Sequence, residues 1–349
     1  SDEKGQAGCT LDLPLGSYYV KELKAPAGFV SSNEVLNFDA SYQGQDVETV
    51  VLKAVKKNQP TTVEITKSDI TTGTELDGAS LKVLDKDGNV VDEWTSVKDA
   101  PHVIKRLVVG ETYTLREEFA PYGYLKATDV EFTVEDNGDV QKVEMKDEVP
   151  TGLLIINKKG EFLDKVTLLD NAKGTVEHLF EYITGSLTEV TFHVYAAEDI
   201  KAADGVSEDY FKADELVGTI TTDTNGIAQL GDLPVGKYYV KEAETAHGYV
   251  LDGEPRYVDL SYRDQDTPVV TYDEAWQNNR QKVKVTVLKK EKDTERVLAG
   301  GIFGLFTRED IKNASGDVLM EADTLIELKT TDENGQITFT ADLPVDGNY

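Results

Sequence analysis

One sequence motif returns along the chain and constrains its fold more than any other feature. Its copies are LPLGSYYVKELKAPAGF at 13–29, LVVGETYTLREEFAPYGY at 107–124 and LPVGKYYVKEAETAHGY at 233–249, and a fourth begins at 342–349. A second motif aligns without gaps between 63–85 and 285–307, and a looser relative begins at 154. The two motifs alternate. The intervals from Lys67 to Lys158 and from Lys158 to Lys289 far exceed the roughly 20 to 50 residues of solenoid repeats, so each repeat is a whole domain.

The order of the two motifs predicts two complete modules between two partial ones. We expect residues 1–59 to be the C-terminal half of a module and residues 282–349 to be the N-terminal half of another. Residues 60–149 and 150–281 are predicted to be complete modules, the second with an insertion. The junctions around Pro60 and Pro150 lack the Gly/Ser-rich or Pro-rich tracts of linkers, which predicts a semi-rigid string of modules.

Local patterns predict an all-β fold. Val63-Glu64-Ile65-Thr66 and residues 130–134 alternate with the two-residue period of strands, and the Asn-Gly pairs at 137, 225 and 334 predict tight hairpins. The insertion after Lys158 is an exception, because Val176, Leu179, Phe180 and Ile183 fall at i, i+3, i+4 and i+7 and predict a short amphipathic helix. We therefore expect tandem Ig-like antiparallel β-sandwich modules arranged as a rod, with one short helix in the module at 150–281.

Composition excludes several classes of function. The chain has 349 residues, with 65 acidic and 36 basic side chains and a formal charge of -29, so it repels nucleic acid and anionic lipid surfaces. Cys9 is the only cysteine, which rules out an intrachain disulfide, and no paired Cys or His spacing predicts a metal or cofactor site. No apolar run reaches the roughly 18 residues of a membrane span. Residues 1–20 lack a signal-peptide pattern, so we expect export and anchoring signals to lie outside this sequence.

Strand parity places charged residues on the inward face of the modules. Counting by twos from apolar residues reaches one lysine early in each module and one glutamate late in the repeated motif; these are Lys67, Lys158 and Lys289, and Glu22, Glu117 and Glu242. The same count reaches Asp147 and Asn278 at the module ends. Asn58 is assigned by its place before Gln59-Pro60, because Lys56 disturbs the parity there.

Repeated burial of charge calls for a use, because an isolated buried amine or carboxylate costs several kcal/mol. In an apolar site the pKa of a lysine falls and that of a glutamate rises, so the amine is neutral and nucleophilic. It can attack the side-chain carbonyl of Asn58, Asn278 or Asp147 while the glutamic acid polarises that carbonyl and moves protons. The product is an amide cross-link, formed once per molecule without enzymatic turnover. The alternative is that solvated strand ends carry only surface ion pairs worth roughly 0 to 1 kcal/mol.

An early lysine, a glutamate before AP-x-G-Y/F and a terminal Asn or Asp resemble the Cna B-type (SpaA-type, prealbumin-like) domains of Gram-positive surface adhesins and pilins. YYVKELKAPAGF and LAGGIFGLF carry the resemblance, which covers nearly the whole chain. It implies intramolecular isopeptide bonds that join Lys67 to Asp147 through Glu117, and Lys158 to Asn278 through Glu242, with Asn279 as the second choice. Asp147 departs from the commoner asparagine. The resemblance also implies a location on the cell wall of a Gram-positive bacterium.

Three functions remain open at this point. The first is a structural stalk or shaft with self-linked modules that contact their neighbours in the chain. The second is a set of binding modules, in which the insertion at 159–190 and the acidic stretch at 196–215 hold a host matrix protein or a glycan. The third is a spacer in a secreted glycan-active enzyme. The partial modules add one more expectation, since Glu22 and Asn58 meet Lys289 only when the head of one molecule meets the tail of another.

Overall fold

The regular secondary structure consists of β-strands in the part of the chain that the structure, a computed structural model, describes: residues 2–9, 11–171 and 175–347. In chain order the strands are β1 (Gly16–Lys21), β2 (Val35–Ala40), β3 (Thr62–Asp69), β4 (Ser80–Leu84), β5 (Val90–Thr95), β6 (His102–Lys105), β7 (Thr112–Phe119), β8 (Val130–Thr133), β9 (Val140–Asp147), β10 (Thr151–Asn171), β11 (Thr175–Ser186), β12 (Thr191–Ala196), β13 (Leu216–Thr221), β14 (Ile227–Pro234), β15 (Gly236–Glu244), β16 (Arg256–Leu260), β17 (Val269–Gln277), β18 (Thr286–Leu288), β19 (Ile302–Phe306), β20 (Ile311–Lys312), β21 (Val318–Met320), β22 (Leu325–Thr330) and β23 (Gln336–Thr338). Within these ranges no helix is long and apolar enough to cross a membrane.

The chain divides into two compact units. The first comprises Ser1–Val149 with Asp264–Asp266. Its strands form the antiparallel pair β1-β2, a three-stranded sheet in the order β6-β3-β9 and a four-stranded sheet in the order β5-β4-β7-β8. One apolar core lies between the two larger sheets and includes Val63 and Ile65 of β3, Leu115 of β7 and Met145 of β9. This arrangement is a β-sandwich.

The second unit comprises Pro150–Arg263 with Thr267–Tyr349. A six-stranded sheet runs in the order β14-β10-β11-β22-β19, with β17 also paired to β10, and a four-stranded sheet runs in the order β13-β12-β15-β16. Two short pairs, β18-β23 and β20-β21, complete it. Its residues form two separate apolar cores, one within 154–276 and one that joins residues of β10 and β11 to residues 283–343.

Within residues 60–149 and within residues 150–281, the first and last strands pair in parallel. β3 pairs with β9 so that Lys67 lies opposite Met145 and Asp69 opposite Asp147. β10 pairs with β17 so that Lys158 lies opposite Trp276. Apart from these two pairs, every strand pair in the described ranges is antiparallel. The parallel pairing brings the C-terminal ends of the first and last strands together, so the chain enters and leaves each sandwich at opposite ends.

The predicted all-β fold is confirmed, but the predicted helix is wrong. Val176, Leu179, Phe180 and Ile183 lie in β11, which pairs with β10 over nearly its whole length. Alternation explains the outcome, because Phe180 is buried and Tyr182 half-buried while Leu179 and Ile183 are exposed. The period of two in this segment outweighs the helical spacing once tertiary contacts cover one face.

The predicted Asn-Gly hairpins are also wrong in one respect. The pairs at 137, 225 and 334 do lie in turns, and Gly226 and Gly335 donate backbone hydrogen bonds to Asp223 and Asp332. However, the strands on either side of each turn belong to different sheets. These turns therefore carry the chain across the sandwich rather than back along one sheet.

Candidate functional site

The turn that follows each predicted glutamate has the same geometry in all three copies. In each turn the fourth residue donates a backbone hydrogen bond to the first, from Phe29 to Pro26 at 3.1 Å, from Tyr124 to Pro121 at 3.1 Å and from Tyr249 to Ala246 at 3.2 Å. The third residue is a glycine with positive φ, Gly28 at 82°, Gly123 at 94° and Gly248 at 84°. A type II turn requires this conformation, which side chains with a Cβ adopt only at a cost. The motif therefore keeps its glycine even where Ala246 replaces the proline.

Each turn fixes the module end beside it. The residue after the turn donates its backbone N–H to the residue that follows a predicted acceptor, from Val30 to Gln59 at 2.9 Å, from Leu125 to Glu148 at 2.8 Å and from Val250 to Asn279 at 2.8 Å. With that carbonyl held, strand alternation turns Asn278 inward and leaves Asn279 exposed. The geometry thus favours Asn278 over Asn279 as the residue that meets Lys158.

In the module at 60–149, the three predicted side chains Lys67, Glu117 and Asp147 lie together in the interior. Lys67 Nζ lies 3.0 Å from Glu117 Oε1 and contacts Asp147 Oδ1, and the three side chains are at most 1% exposed. The other oxygen of Glu117 accepts the backbone N–H of Ala127 at 2.7 Å. Among the described residues, Asp147 Oδ2 has no hydrogen-bond partner. One buried lysine therefore faces two buried carboxyl groups.

Burial sets the protonation of this group. It raises the pKa of Asp147 to about 7, although the ammonium of Lys67 acts in the opposite direction. Near neutral pH, a large fraction of Asp147 is therefore the neutral carboxylic acid. A neutral acid is a better target for an amine than a carboxylate, because no negative charge repels the attacking electron pair.

In the module at 150–281, the glutamate bridges the other two side chains. Glu242 Oε2 lies 2.7 Å from Lys158 Nζ, and Glu242 Oε1 accepts a hydrogen bond of 2.5 Å from Asn278 Nδ2. Asn278 Nδ2 also donates to Thr245 Oγ1 at 2.7 Å. Burial lowers the pKa of Lys158, and Glu242 offsets part of that effect. The site therefore brings together Lys158, whose ammonium loses its proton more readily than usual, and Asn278, whose side-chain amide is oriented by two hydrogen bonds.

The residues predicted in the partial modules are only partly brought together. Asn58 Nδ2 lies 2.9 Å from both carboxylate oxygens of Glu22, and both side chains are half-buried. Lys289 belongs to the other unit and is exposed, so its predicted inward orientation is wrong. The reason is local: β18 ends at Leu288, so the alternation does not extend to Lys289. A joint role for these three residues stays a prediction.

Sequence reasoning missed Thr245, which touches the acceptor amide. The position three residues after the glutamate is Ala25 in the first copy of the motif and Ala120 in the second, but Thr245 in the third. The change from alanine to threonine in the third copy could have identified this residue from the sequence, because a hydroxyl at this position reaches Asn278. The module at 60–149, where the predicted acceptor Asp147 has no amide N–H to satisfy, keeps the alanine.

Comparisons with known proteins agree with this architecture. A family model described as SpaA, prealbumin-like fold domain, matches residues 1–55, 61–149 and 182–275. No curated protein sequence matches the chain.

Parts of the chain also match solved structures of bacterial proteins. The Bacillus anthracis TIE protein matches at 27% identity and a TM-score of 0.43, over 76% of this chain and 42% of that chain. The shaft pilin of Lactobacillus rhamnosus GG matches at 14% identity and a TM-score of 0.24, over 64% of this chain and 98% of that chain. The minor pilin of Streptococcus agalactiae matches at 14% identity and a TM-score of 0.24, over 63% of this chain and 96% of that chain. The chain thus spans less than half the length of the first of these. The family match extends over most of the sequence and recurs in three successive segments, and by it the chain belongs to the SpaA family of prealbumin-like fold domains.

Proposed function

We propose that this chain is a load-bearing segment of a bacterial surface stalk, in which two modules close themselves with isopeptide bonds. The observation that carries the proposal is a buried group of three side chains in each of the two modules. In one, Lys67 contacts both Glu117 and Asp147. In the other, Glu242 contacts both Lys158 and Asn278. Family membership and the lack of cysteine pairs support it. The stalk would stand outside the cell, on the wall of a Gram-positive bacterium.

The reaction in the module at 150–281 joins Lys158 to Asn278. The neutral amine of Lys158 attacks Cγ of Asn278 and loses one proton to the carboxylate of Glu242 as the new C–N bond forms. The carboxyl group of Glu242 gives that proton to Nδ2, the C–N bond to Nδ2 breaks, and ammonia leaves. This proton transfer is supported by the contacts of Glu242, because one carboxylate oxygen lies 2.7 Å from the amine of Lys158 and the other lies 2.5 Å from Asn278 Nδ2.

The reaction in the module at 60–149 joins Lys67 to Asp147 and releases water. It needs Asp147 as the neutral acid, and burial supplies that form near pH 7. Glu117 lies 3.0 Å from the amine and is oriented by the backbone of Ala127, so it is placed to move the protons. Both products are ordinary amides, and each forms once.

A bond from module entry to module exit changes how tension passes. With Lys67 joined to Asp147, force enters and leaves through that amide, and residues 68–146 carry almost none of it. By the loop-closure argument used for disulfides, each bond also stabilises its module by on the order of 4 to 5 kcal/mol. The bonds therefore provide what disulfides provide in other extracellular domains.

Intact mass spectrometry under denaturing conditions tests the proposal. The purified chain should be lighter than its sequence by one water and one ammonia. The Glu242→Gln chain should not lose ammonia, and the Glu117→Gln chain should not lose water, because each substitution removes the carboxyl group that moves the protons. The matched controls are Glu244→Gln and Glu118→Gln, which change glutamates on the outward face of the same strands. A wild-type mass equal to the sequence mass, or linear tryptic peptides that end at Lys67 and Lys158, would refute the bonds.

A second candidate function, glycan binding, is favoured by a row of aromatic side chains. Leu216, Tyr195, Tyr239 and Tyr257 lie directly opposite one another on the four adjacent strands of the sheet β13-β12-β15-β16. Tyr195 stacks on Tyr239 at a centroid distance of 5.0 Å, and Tyr257 is 72% exposed. Such rings offer flat apolar surface with polar edges, which suits the faces of sugar rings.

Charges beside this row are balanced, in contrast to the acidic chain as a whole. Lys237 lies opposite Asp259 on one flank, and Tyr239 donates to Asp214 while Lys241 lies over its ring. A neutral polyhydroxylated ligand fits that balance better than a charged one. Asp214 belongs to the acidic stretch at 196–215 that the sequence suggested, whereas the apolar residues of the insertion are used in packing.

Binding to a panel of neutral polysaccharides tests the glycan-binding function. Tyr257→Ser and Tyr195→Ser should abolish binding, while Tyr122→Ser, an exposed tyrosine in another module, should retain it. If wild-type chain binds none of the panel, the glycan function fails and the stalk function is unaffected.

A further inference from the structure

The insertion in the module at 150–281 is a β-hairpin that packs against the segment following that module, residues 283–343. Its two strands are residues 159–171 of β10 and all of β11, and they pair from Lys159 opposite Ser186 to Asn171 opposite Thr175. We call residues 159–186 the hairpin. β11 pairs in turn with β22 through Glu177 and Glu327, so one sheet continues from the module into residues 282–343.

One face of the hairpin supplies part of the core of the segment that follows. Leu163 and Phe180 are 8% and 4% exposed, and Val166 and Tyr182 pack beside them. The rest of this core comes from residues 283–343, with Ile326 at 0% and Leu343 at 1% exposure as its most buried members. None of these residues belongs to the core at 154–276, which is built separately. The hairpin therefore contributes more apolar packing to the next segment than to its own module.

Polar contacts fix the root of the hairpin to the same segment. Arg280 is 7% exposed, its guanidinium lies 3.7 Å from the ring centroid of Tyr182, and its Nε lies 3.5 Å from Glu161 Oε2. Arg280 also contacts Asp342 Oδ2, and Tyr182 donates its hydroxyl to Asp342 O at 2.8 Å. A buried guanidinium that pairs with two carboxylates and one ring defines a single arrangement. It lies two residues after Asn278, where the chain leaves the module.

We propose that the hairpin is a strap that stabilises the following segment: local opening of residues 283–343 costs more free energy when the apolar face of the hairpin is docked on them. The dependence runs one way, because the module at 150–281 has its own core. If the proposed Lys158–Asn278 bond exists, residues 159–277 lie outside the path of tension. In that case, which rests on the proposed function, the strap stays docked while the chain is pulled.

Amide hydrogen exchange on the full chain tests the strap. Phe180→Asp should raise exchange in peptides from β18, β19, β22 and β23 by roughly tenfold or more, because local opening then costs less. Exchange in peptides from β12, β15 and β16 should stay as in the wild type. Leu179→Asp is the matched control, since the neighbouring side chain is 45% exposed on the opposite face. It should change neither set.

A milder variant and a mass measurement separate the possible failures. Phe180→Ala removes packing without adding charge and should give a smaller change in the same peptides. Wild-type exchange at 283–343 in both Phe180 variants would overturn the strap, as would an equal rise in β12, β15 and β16. Lys158→Met prevents the proposed bond, yet it should leave exchange at 283–343 unchanged. Loss of ammonia should still occur in the Phe180 variants, so the strap and the bond can fail independently.

Discussion

At the scale of single residues, the two proposed reaction sites differ in the residue that would accept the lysine. An amide acceptor needs its nitrogen protonated as it leaves, and Asn278 Nδ2 faces a carboxylate oxygen at 2.5 Å. An acid acceptor needs a proton before attack, and burial holds it on Asp147 near neutral pH. In the proposed reactions, the limiting protonation step would therefore differ between the modules: loss of a proton from Lys158 in one, and retention of a proton by Asp147 in the other.

This difference predicts opposite pH dependences. The pKa of Asp147 is raised to about 7, so its reactive acid form is present below that pH and is lost above it. The pKa of Lys158 is lowered, so its reactive amine form gains population as the pH rises. Chain recovered unfolded from inclusion bodies should be refolded at set pH values, with each linked peptide quantified by mass spectrometry. From pH 6 to 8, the Lys67–Asp147 bond should form more slowly and the Lys158–Asn278 bond faster.

Asp147→Asn supplies the control for this prediction. It removes the titrating acid, so the decline of the first reaction above pH 7 should disappear while the second reaction is unchanged. Two profiles that rise or fall together would show that the protonation of the acceptor does not limit the first reaction.

Thr245 gives a second prediction at this scale. Its hydroxyl accepts from Asn278 Nδ2 at 2.7 Å and holds the amide in the orientation that Glu242 requires. Thr245→Val keeps the shape and removes this bond, whose loss of about 1 kcal/mol corresponds to roughly fivefold slower bond formation. Thr222→Val removes a comparable buried hydrogen bond, which Val190 N–H donates to Thr222 Oγ1 away from the site. This variant should leave the rate of bond formation unchanged. Equal rates for both variants would exclude a role for Thr245 in orientation.

At the scale of elements, the turn after each glutamate connects backbone conformation to the site. Gly123 has φ of 94°, and the next residue but one, Leu125, donates to Glu148 beside Asp147. Gly123→Ala should destabilise its module by about 1 to 2 kcal/mol, because the Cβ strains the left-handed conformation, and should slow the Lys67–Asp147 bond. Urea unfolding and peptide mapping measure the two effects.

Gly88→Ala is the control for the turn. Gly88 has a similar φ of 82° but lies in the β4–β5 turn, away from the site. It should lose similar stability without slowing bond formation. If both variants slow the bond equally, general destabilisation explains the effect and the turn has no separate influence on the acceptor.

Much of the site follows from sequence because strand parity is a local property. Counting by twos from Val63 reaches Lys67, and from Val143 it reaches Asp147, and both are buried as counted. Parity fails at Lys289 because the strand stops one residue earlier. The hairpin could not be predicted, since Phe180 and Tyr182 gain their burial from residues far along the chain. The parallel pairing of first and last strands likewise depends on the whole sandwich rather than on either strand.

At the scale of the whole molecule, the two proposed bonds determine how far the chain extends under force. Single-molecule pulling on the termini should show no extension from residues 68–146 or 159–277 in the wild type. Lys158→Met should release the second of these, adding on the order of 400 Å at about 3.4 Å per residue. Lys159→Met changes the neighbouring half-buried lysine, which contacts Ser186, and should leave the contour length as in the wild type. Wild-type chain that releases the full length of both segments carries its load through noncovalent contacts alone, and the stalk would then lack the covalent reinforcement proposed for it.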